Sequence, residues 1–154
     1  MNTGDEVPDF TLPDETGTPR QLSTLLADGP VVLFFYPIAS SGGCTQEACH
    51  FRDLAGEFAV LGAQPVGISS DGPTAQSGFA GAHGLGYPLL TDAGHGVAKQ
   101  LGAYRSWLPG GLHTRRVTVV IGTDRRVLGS VADEKRFDRH ADEALSILRD
   151  RPAA

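Results

Sequence analysis

The stretch VVLFFYPIASSGGCTQEACHFRDL, residues 31–54, holds both cysteines of the chain and sets its architecture. Val31 to Tyr36 is an unbroken apolar run of the length of a buried strand, and Pro37 stops it. Ser40-Ser41-Gly42-Gly43 reads as a flexible loop, and a helix is predicted to start at Cys44. A thiol at a helix N-terminus meets free backbone N–H groups and the positive end of the helix dipole, both of which favour thiolate over thiol. Cys44 therefore reads as a reactive residue and not as a packing one.

Helical periodicity separates the two sulfurs. Ala48, Phe51, Ala55 and Phe58 follow Cys44 at three- and four-residue steps, whereas Cys49 falls with Arg52, Asp53 and Gly56 on a more polar stripe. Cys44 is thus expected to face the core and Cys49 to face outward. Five helical steps place the two Cα atoms roughly 8 to 9 Å apart. A disulfide needs less than about 7 Å. Bonding between the two would require the first turns of the helix to unwind.

Outward from this stretch, Phe10 to Leu12 and Pro19 to Leu22 form a predicted hairpin around Pro13 to Gly17, and Ser23 is a candidate cap for a short helical turn. The cysteine helix is expected to run to about Leu61. Gln64 to Ser69 reads as a core strand, Pro73 to His83 as a helix, Pro88 to Thr91 as a short strand and His95 to Leu101 as a short helix. That alternation implies β-α-β connections and a largely parallel sheet. Tyr104 to Thr114, with Trp107 and Leu108-Pro109-Gly110-Gly111, is the longest loop and long enough to cover a site. Arg116 to Ile121 and Arg126 to Val131 pair as a hairpin across Gly122 to Arg125. Asp138 to Arg149 forms an amphipathic helix through Ala141, Ala144, Leu145 and Leu148.

With 154 residues the chain reads as one domain, 1–154, able to bury a core without disulfide or metal staples. A net charge of -5 with scattered arginines argues against nucleic acid as a partner. MNTGDEVPDFTL has no signal-peptide pattern and no apolar run reaches membrane-spanning length, so a cytoplasmic location with no membrane partner is expected. Two cysteines in a reducing compartment are more often catalytic or redox-sensing than structural. The histidines, His50, His83, His95, His113 and His140, show no ligand spacing, and no metal or cofactor is expected. A phosphatase loop would need arginine where His50 stands, and the Ser-Ser-Gly-Gly loop lacks the Gly-Lys-Ser/Thr of a nucleotide P-loop. His50 itself reads as a solvated helix residue.

The segment Tyr36-Pro37-x-x-x-Ser41-Gly42-Gly43-Cys44-Thr45-x-Glu47-Ala48-Cys49-x-Phe51-Arg52-Asp53 closely resembles the active-site segment of peroxiredoxins, and its Cys-Thr-x-Glu-Ala-Cys core is similar to the Q-type, or bacterioferritin comigratory protein, branch. The likeness continues in Pro-Asp-Phe-x-Leu-Pro-Asp-x-x-Gly at 8–17, Gly-Ile-Ser at 67–69, Tyr-Pro-Leu-Leu-x-Asp at 87–92 and Arg116-Val-Thr-Val-Val-Ile121. It implies an α/β thioredoxin-like fold, a central mixed sheet flanked by helices with an N-terminal β-hairpin. It also implies reduction of hydroperoxides at the expense of thioredoxin or a similar dithiol protein, by a monomer or weak homodimer. By the same resemblance Cys44 is the peroxidatic nucleophile, Cys49 the resolving thiol, Pro37 a shield of the pocket, and Ser41 and Arg116 its polar groups. Glu47 and Thr45 support them.

Residue chemistry accompanies these implied roles. A guanidinium beside the thiolate stabilises both the nucleophile and the charge developing on the leaving oxygen. Arg115 and Arg116 point to opposite faces of the strand, so one of them faces the pocket, and Arg116 matches the family position. The Ser41 hydroxyl and the Cys44 N–H are candidates to hold the peroxide, with Ser40 a rival donor. Glu47 has two readings, an acid favourable in a first helical turn or a group that orients an arginine. Ser41 stands where the family usually has threonine, and Gly42 where it has proline. A thioredoxin-like disulfide reductase would ordinarily show Cys-x-x-Cys, and a thiol sensor or holdase would use the same cysteine pair to expose a surface.

Overall fold

The computed structural model describes residues 1–39, 41–106 and 113–150. The predicted Ser40 and, in the longest loop, Trp107 and Leu108 to Gly111 lie outside them. At the centre runs β3, Val31–Phe35, numbered after the N-terminal hairpin of β1, Thr11–Pro13, and β2, Pro19–Gln21. All five residues of β3 are buried, because alternate side chains feed two separate core layers. Val31, Leu33 and Phe35 pack with Val66, Ile68, Val119 and Leu101, whereas Val32 and Phe34 pack with Phe51, Phe58, Phe79 and Leu145. The second layer is the one that carries the cysteine helix.

β3 pairs in parallel with β4, Gln64–Ser69, which pairs in parallel with β5, Leu89–Thr91. On its other side it pairs antiparallel with β6, Val117–Ile121, which pairs antiparallel with β7, Val127–Ala132. The order is β5-β4-β3-β6-β7, a mixed sheet and not the largely parallel one that the β-α alternation implied. Alternation counts elements and says nothing of strand direction, and β6 pairs antiparallel with β3.

Helix α1, Leu22–Leu26, follows β2 directly. Gln21 occupies its cap position and Ser23 lies inside the helix, its backbone N–H and hydroxyl both donating to the Asp9 carboxylate, which satisfies the helix start from a distance. The cysteine helix is two helices, α2, Gly42–Asp53, and α3, Ala55–Val60, broken at Leu54 with φ -95° and ψ 8°. The break turns Ala55 to the surface, against the single-helix expectation, while Phe58 returns to the core. Beyond it come α4, Pro73–His83, a 3-10 turn at Ala93–His95, α5, Gly96–Leu101, and α6, Arg139–Asp150. Helix α6 buries Ala141, Ala144, Leu145 and Leu148 against the β6–β7 side of the sheet.

Candidate active site

Helix α2 begins at Gly42, two residues before the predicted start, with Ser41 as its cap. The Ser41 hydroxyl accepts from the Cys44 N–H at 3.3 Å and the Ser41 carbonyl accepts from the Thr45 N–H at 2.8 Å. Cys44 is therefore in the first turn, where the dipole and the free N–H groups act. Its own N–H is directed at Ser41, so in this geometry Ser41 organises the turn, an arrangement the sequence reading did not anticipate. Thr45 is half-buried, and Pro37 is half-buried just past β3. The ladder ends there because Tyr36 still donates to the Ile68 carbonyl but proline has no N–H to continue it.

The buried face of α2 is Cys44, Glu47, Ala48 and Phe51. Phe51 stacks on Phe34 of β3 with ring centroids 4.2 Å apart, and the Tyr87 hydroxyl donates to the Ala48 carbonyl at 2.6 Å. These contacts fix the roll of the helix, and with it the direction of Sγ. Cys44 is 1% exposed; Cys49 is half-buried at the edge of the same layer, not fully outward as its stripe suggested. Both thiols are free and both sit in one unbroken helix. His50 is no solvated bystander: its Nε2 lies 2.8 Å from Asp142 Oδ1 and ties α2 to α6.

Arg116 comes from the residue before β6. Its backbone N–H donates to Glu134 and its side chain is buried, with Nη2 donating to Cys44 Sγ at 3.4 Å and Nη1 to Glu47 Oε1 at 3.4 Å. The Phe137 ring lies against the guanidinium, 4.6 Å from centroid to Cζ. Arg115, on the other face, is half-buried and donates to the Gly102 carbonyl. Glu47 is fully buried, and burial pushes its carboxyl up to about 8 against the lowering charge of Arg116. Fold and side chains thus bring Cys44, Glu47, Arg116 and Ser41 together, with Thr45 next in the same turn and Cys49 further along the helix, while Pro37 stands just past the end of β3.

Sequence reasoning missed two members of this cluster, Phe137 and His140. His140 is 0% exposed and 3.6 Å from Glu47 Oε2. A signal for it existed, since His140 precedes Ala144 and Leu148 by four and eight residues and so lies on the buried stripe of α6. Gly43 carried a signal of another kind: a Cβ there would stand 2.6 Å from Phe137 Cζ, so only glycine lets that ring approach. Among the described residues no group of three or more His, Cys, Asp or Glu is arranged to hold a metal ion, and no helix is long and apolar enough to cross a membrane.

A buried thiol in the first turn of the helix after the central strand, with a guanidinium at its sulfur, defines a thiol-dependent oxidoreductase of thioredoxin-like fold. The family model described as the AhpC/TSA family matches residues 3–129. A solved structure of peroxidoxin BcpB from Mycobacterium tuberculosis superposes with a TM-score of 0.94 at 55% identity, covering 99% of each chain. The chloroplastic peroxiredoxin Q of Populus jackii is 36% identical over 97% of this chain and 68% of its own length. A Xanthomonas campestris bacterioferritin comigratory protein superposes with a TM-score of 0.83 at 26% identity, covering 91% of this chain and 90% of that one. The chain belongs to the AhpC/TSA family, in the Q-type branch of the peroxiredoxins, and is a thiol peroxidase acting on hydroperoxides.

Proposed function

We propose that Cys44 is the peroxidatic residue and Cys49 its resolving partner within the same chain. The Cys44 thiolate attacks one peroxide oxygen: an S–O bond forms, the O–O bond breaks, and the leaving oxygen departs as an alkoxide or hydroxide that takes up a proton. Sulfur is oxidised by two electrons and the peroxide is reduced by two. The Cys49 thiol then attacks the Cys44 sulfenic acid, an S–S bond forms, and water leaves. A thioredoxin-like dithiol protein in the cytoplasm returns the disulfide to two thiols by exchange, and the chain works as a monomer or weak homodimer. The X. campestris relative, studied for alkyl peroxide reduction, supports organic hydroperoxides alongside hydrogen peroxide as substrates.

The observation that carries this reading is the Arg116 Nη2 contact to Cys44 Sγ at 3.4 Å in a site closed to solvent. A guanidinium there favours the anion that attacks and the charge that develops on the leaving oxygen. Glu47 orients Arg116, Ser41 caps the turn that presents the thiol, Thr45 helps close that turn, and Pro37 walls the approach. Because both cysteines stand in α2, disulfide formation unwinds the start of that helix.

Stopped-flow peroxide consumption with a dithiol protein and a sulfenic acid trap tests the assignment. Cys44→Ser abolishes consumption, while Cys49→Ser reacts once and stalls as a trappable sulfenic acid on Cys44. A trap adduct on Cys49 in the Cys44→Ser protein would overturn it.

A further inference from the structure

Pro37 and Ile38 lead the chain out of β3 towards the cysteine helix, and the residues on either side of them are both tied to the β4–α4 corner. On one side the Tyr36 hydroxyl donates to Gln76 Oε1 of α4; on the other the Ala39 N–H donates to Asp71 Oδ2 at 2.7 Å. Ser69, the last residue of β4, joins the two. Its Oγ accepts from Gln76 Nε2 at 3.0 Å and from the Asp71 N–H at 3.2 Å, and donates to Asp71 Oδ2 at 2.7 Å. The directions are fixed by chemistry: the Leu90 carbonyl, 3.0 Å from Gln76 Nε2, only accepts, so the glutamine nitrogen faces it and Oε1 is left for Tyr36. Both lone pairs of Ser69 Oγ are then in use, and its hydrogen goes to the carboxylate. Tyr36, Ser69 and Gln76 are all buried.

We infer that Asp71 is a positioning residue for peroxide reduction: by accepting the Ala39 N–H it fixes the loop that carries Ser41, the cap of α2, and with it the place of Cys44 against Arg116. Asp71 is itself anchored to two strands, through Ser69 of β4 and through the Thr91 hydroxyl of β5, which donates to the Asp71 carbonyl at 2.8 Å. Phe51 and Tyr87 hold α2 from its middle onward. Asp71 supplies a hold upstream of Cys44. Ala39 stands two residues before Ser41, whose hydroxyl accepts from the Cys44 N–H at 3.3 Å, and Gly42 and Gly43 offer little stiffness of their own. Drift at Ala39 is therefore passed to the sulfur that Arg116 Nη2 meets at 3.4 Å. A misplacement of about 1 Å at reacting atoms can cost on the order of 100-fold in rate.

The inference rests on Cys44 being the attacking residue, and it is tested in the Cys49→Ser protein, where a single thiol reacts. Asp71→Ala is expected to lower the second-order rate constant for hydrogen peroxide by roughly 10- to 100-fold. Alkylation of the same thiol by iodoacetamide should not fall, because that reaction needs no donors placed around an O–O bond. Asp71→Asn, whose amide oxygen can stand where Oδ2 stands, recovers most of the peroxide rate. Asp71→Ser suits a turn but is too short to reach Ala39, and should lose the rate as Asp71→Ala does.

Thermal unfolding of each variant identifies a folding failure, and Asp71→Ser carries the test if Asp71→Ala does not fold. Equal losses of peroxide and iodoacetamide reactivity would overturn the inference, as would wild-type peroxide rates in Asp71→Ala or Asp71→Ser, or an Asp71→Asn protein as slow as they are. A Cys44→Ser protein that still consumes peroxide would overturn the assignment of Cys44 and the inference with it, and that outcome is read from a different protein.

Discussion

The Arg116 guanidinium stands with Nη2 3.4 Å from the sulfur of Cys44, the two residues approaching from β6 and α2 inside a layer closed to solvent. A charge-assisted contact of this kind contributes about 1.5–3 kcal/mol, so Arg116→Met should slow the reaction with peroxide by roughly 10- to 100-fold. Arg116→Lys should not restore it, because a single ammonium cannot serve Glu47 and Cys44 with a planar fork. Arg115→Met, whose side chain turns away from Cys44 to the Gly102 carbonyl, should leave the rate within about twofold. Stopped-flow rate constants for the three proteins decide, and a larger loss in Arg115→Met would reverse the assignment.

Glu47 links stability to pH. Burial raises its carboxyl to about 8, well above the ~4.3 of an unfolded glutamate. Between those values the folded chain binds more protons than the unfolded one, so Glu47 makes stability fall as pH rises, by at most about 1.4 kcal/mol per pH unit. His140 contributes the opposite slope: burial lowers its pKa, so its share of stability is present above the unfolded value near ~6.5 and is lost as pH falls below it. Glu47→Gln should remove only the first effect. Urea unfolding of both proteins from pH ~5 to ~8 should give a difference that grows in favour of the variant as pH rises; a constant difference would mean that Glu47 does not titrate there.

Two adjacent glycines should respond in opposite ways. Gly42 is the first residue of α2, a Cβ there meets nothing within 4 Å, and Ser41 before it is already extended at φ -70°, ψ 157°. Proline suits such a position, and Gly42→Pro should stabilise the fold by about 0.4–1 kcal/mol without slowing the peroxide step. Gly43→Ala drives a methyl into the Phe137 ring that lies on Arg116. That overpacking should cost about 1–3 kcal/mol and slow the reaction several-fold. Thermal unfolding with peroxide kinetics on both variants checks the pair.

Oxidation should release α2. Forming a bond between two residues of one helix breaks its first turns, so hydrogen-exchange protection across residues 44–51 should drop in the disulfide form while Val31–Phe35 stays protected. The Tyr87 hydroxyl anchors that turn through the Ala48 carbonyl at 2.6 Å. Tyr87→Phe removes about 0.5–1.5 kcal/mol of that hold and should speed disulfide formation by up to about tenfold. Rapid-quench mass spectrometry measures the rate; an unchanged rate, or a disulfide joining two chains, would exclude intramolecular unwinding.

Within one strand or one helix, the amino-acid order was enough. Val31 to Phe35 is buried on both faces as its unbroken apolar run requires, and Cys44 lies in the first turn of the helix after it because Pro37 and two glycines end one element and permit the next. Arg116 and Arg115 split to opposite faces because side chains alternate along an extended chain. Periodicity records which face is apolar, but not what will be laid against it.

Tertiary structure decided the rest. The direction of β6, the break at Leu54, the withdrawal of Cys49 into the layer edge, and the contacts of His50 and His140 with residues on distant elements all depend on how completed elements pack. Glu47 shows the difference most clearly. Its place in the chain reads as an ordinary first-turn acid, but α2 starts at Gly42 and has no acid in its first turn, and the arrival of β6 and α6 over the same face of α2 encloses the carboxyl between Arg116 and His140. Desolvation and directional hydrogen bonding act between groups that folding brings together, so the environment of that carboxyl comes into being only when the layers close.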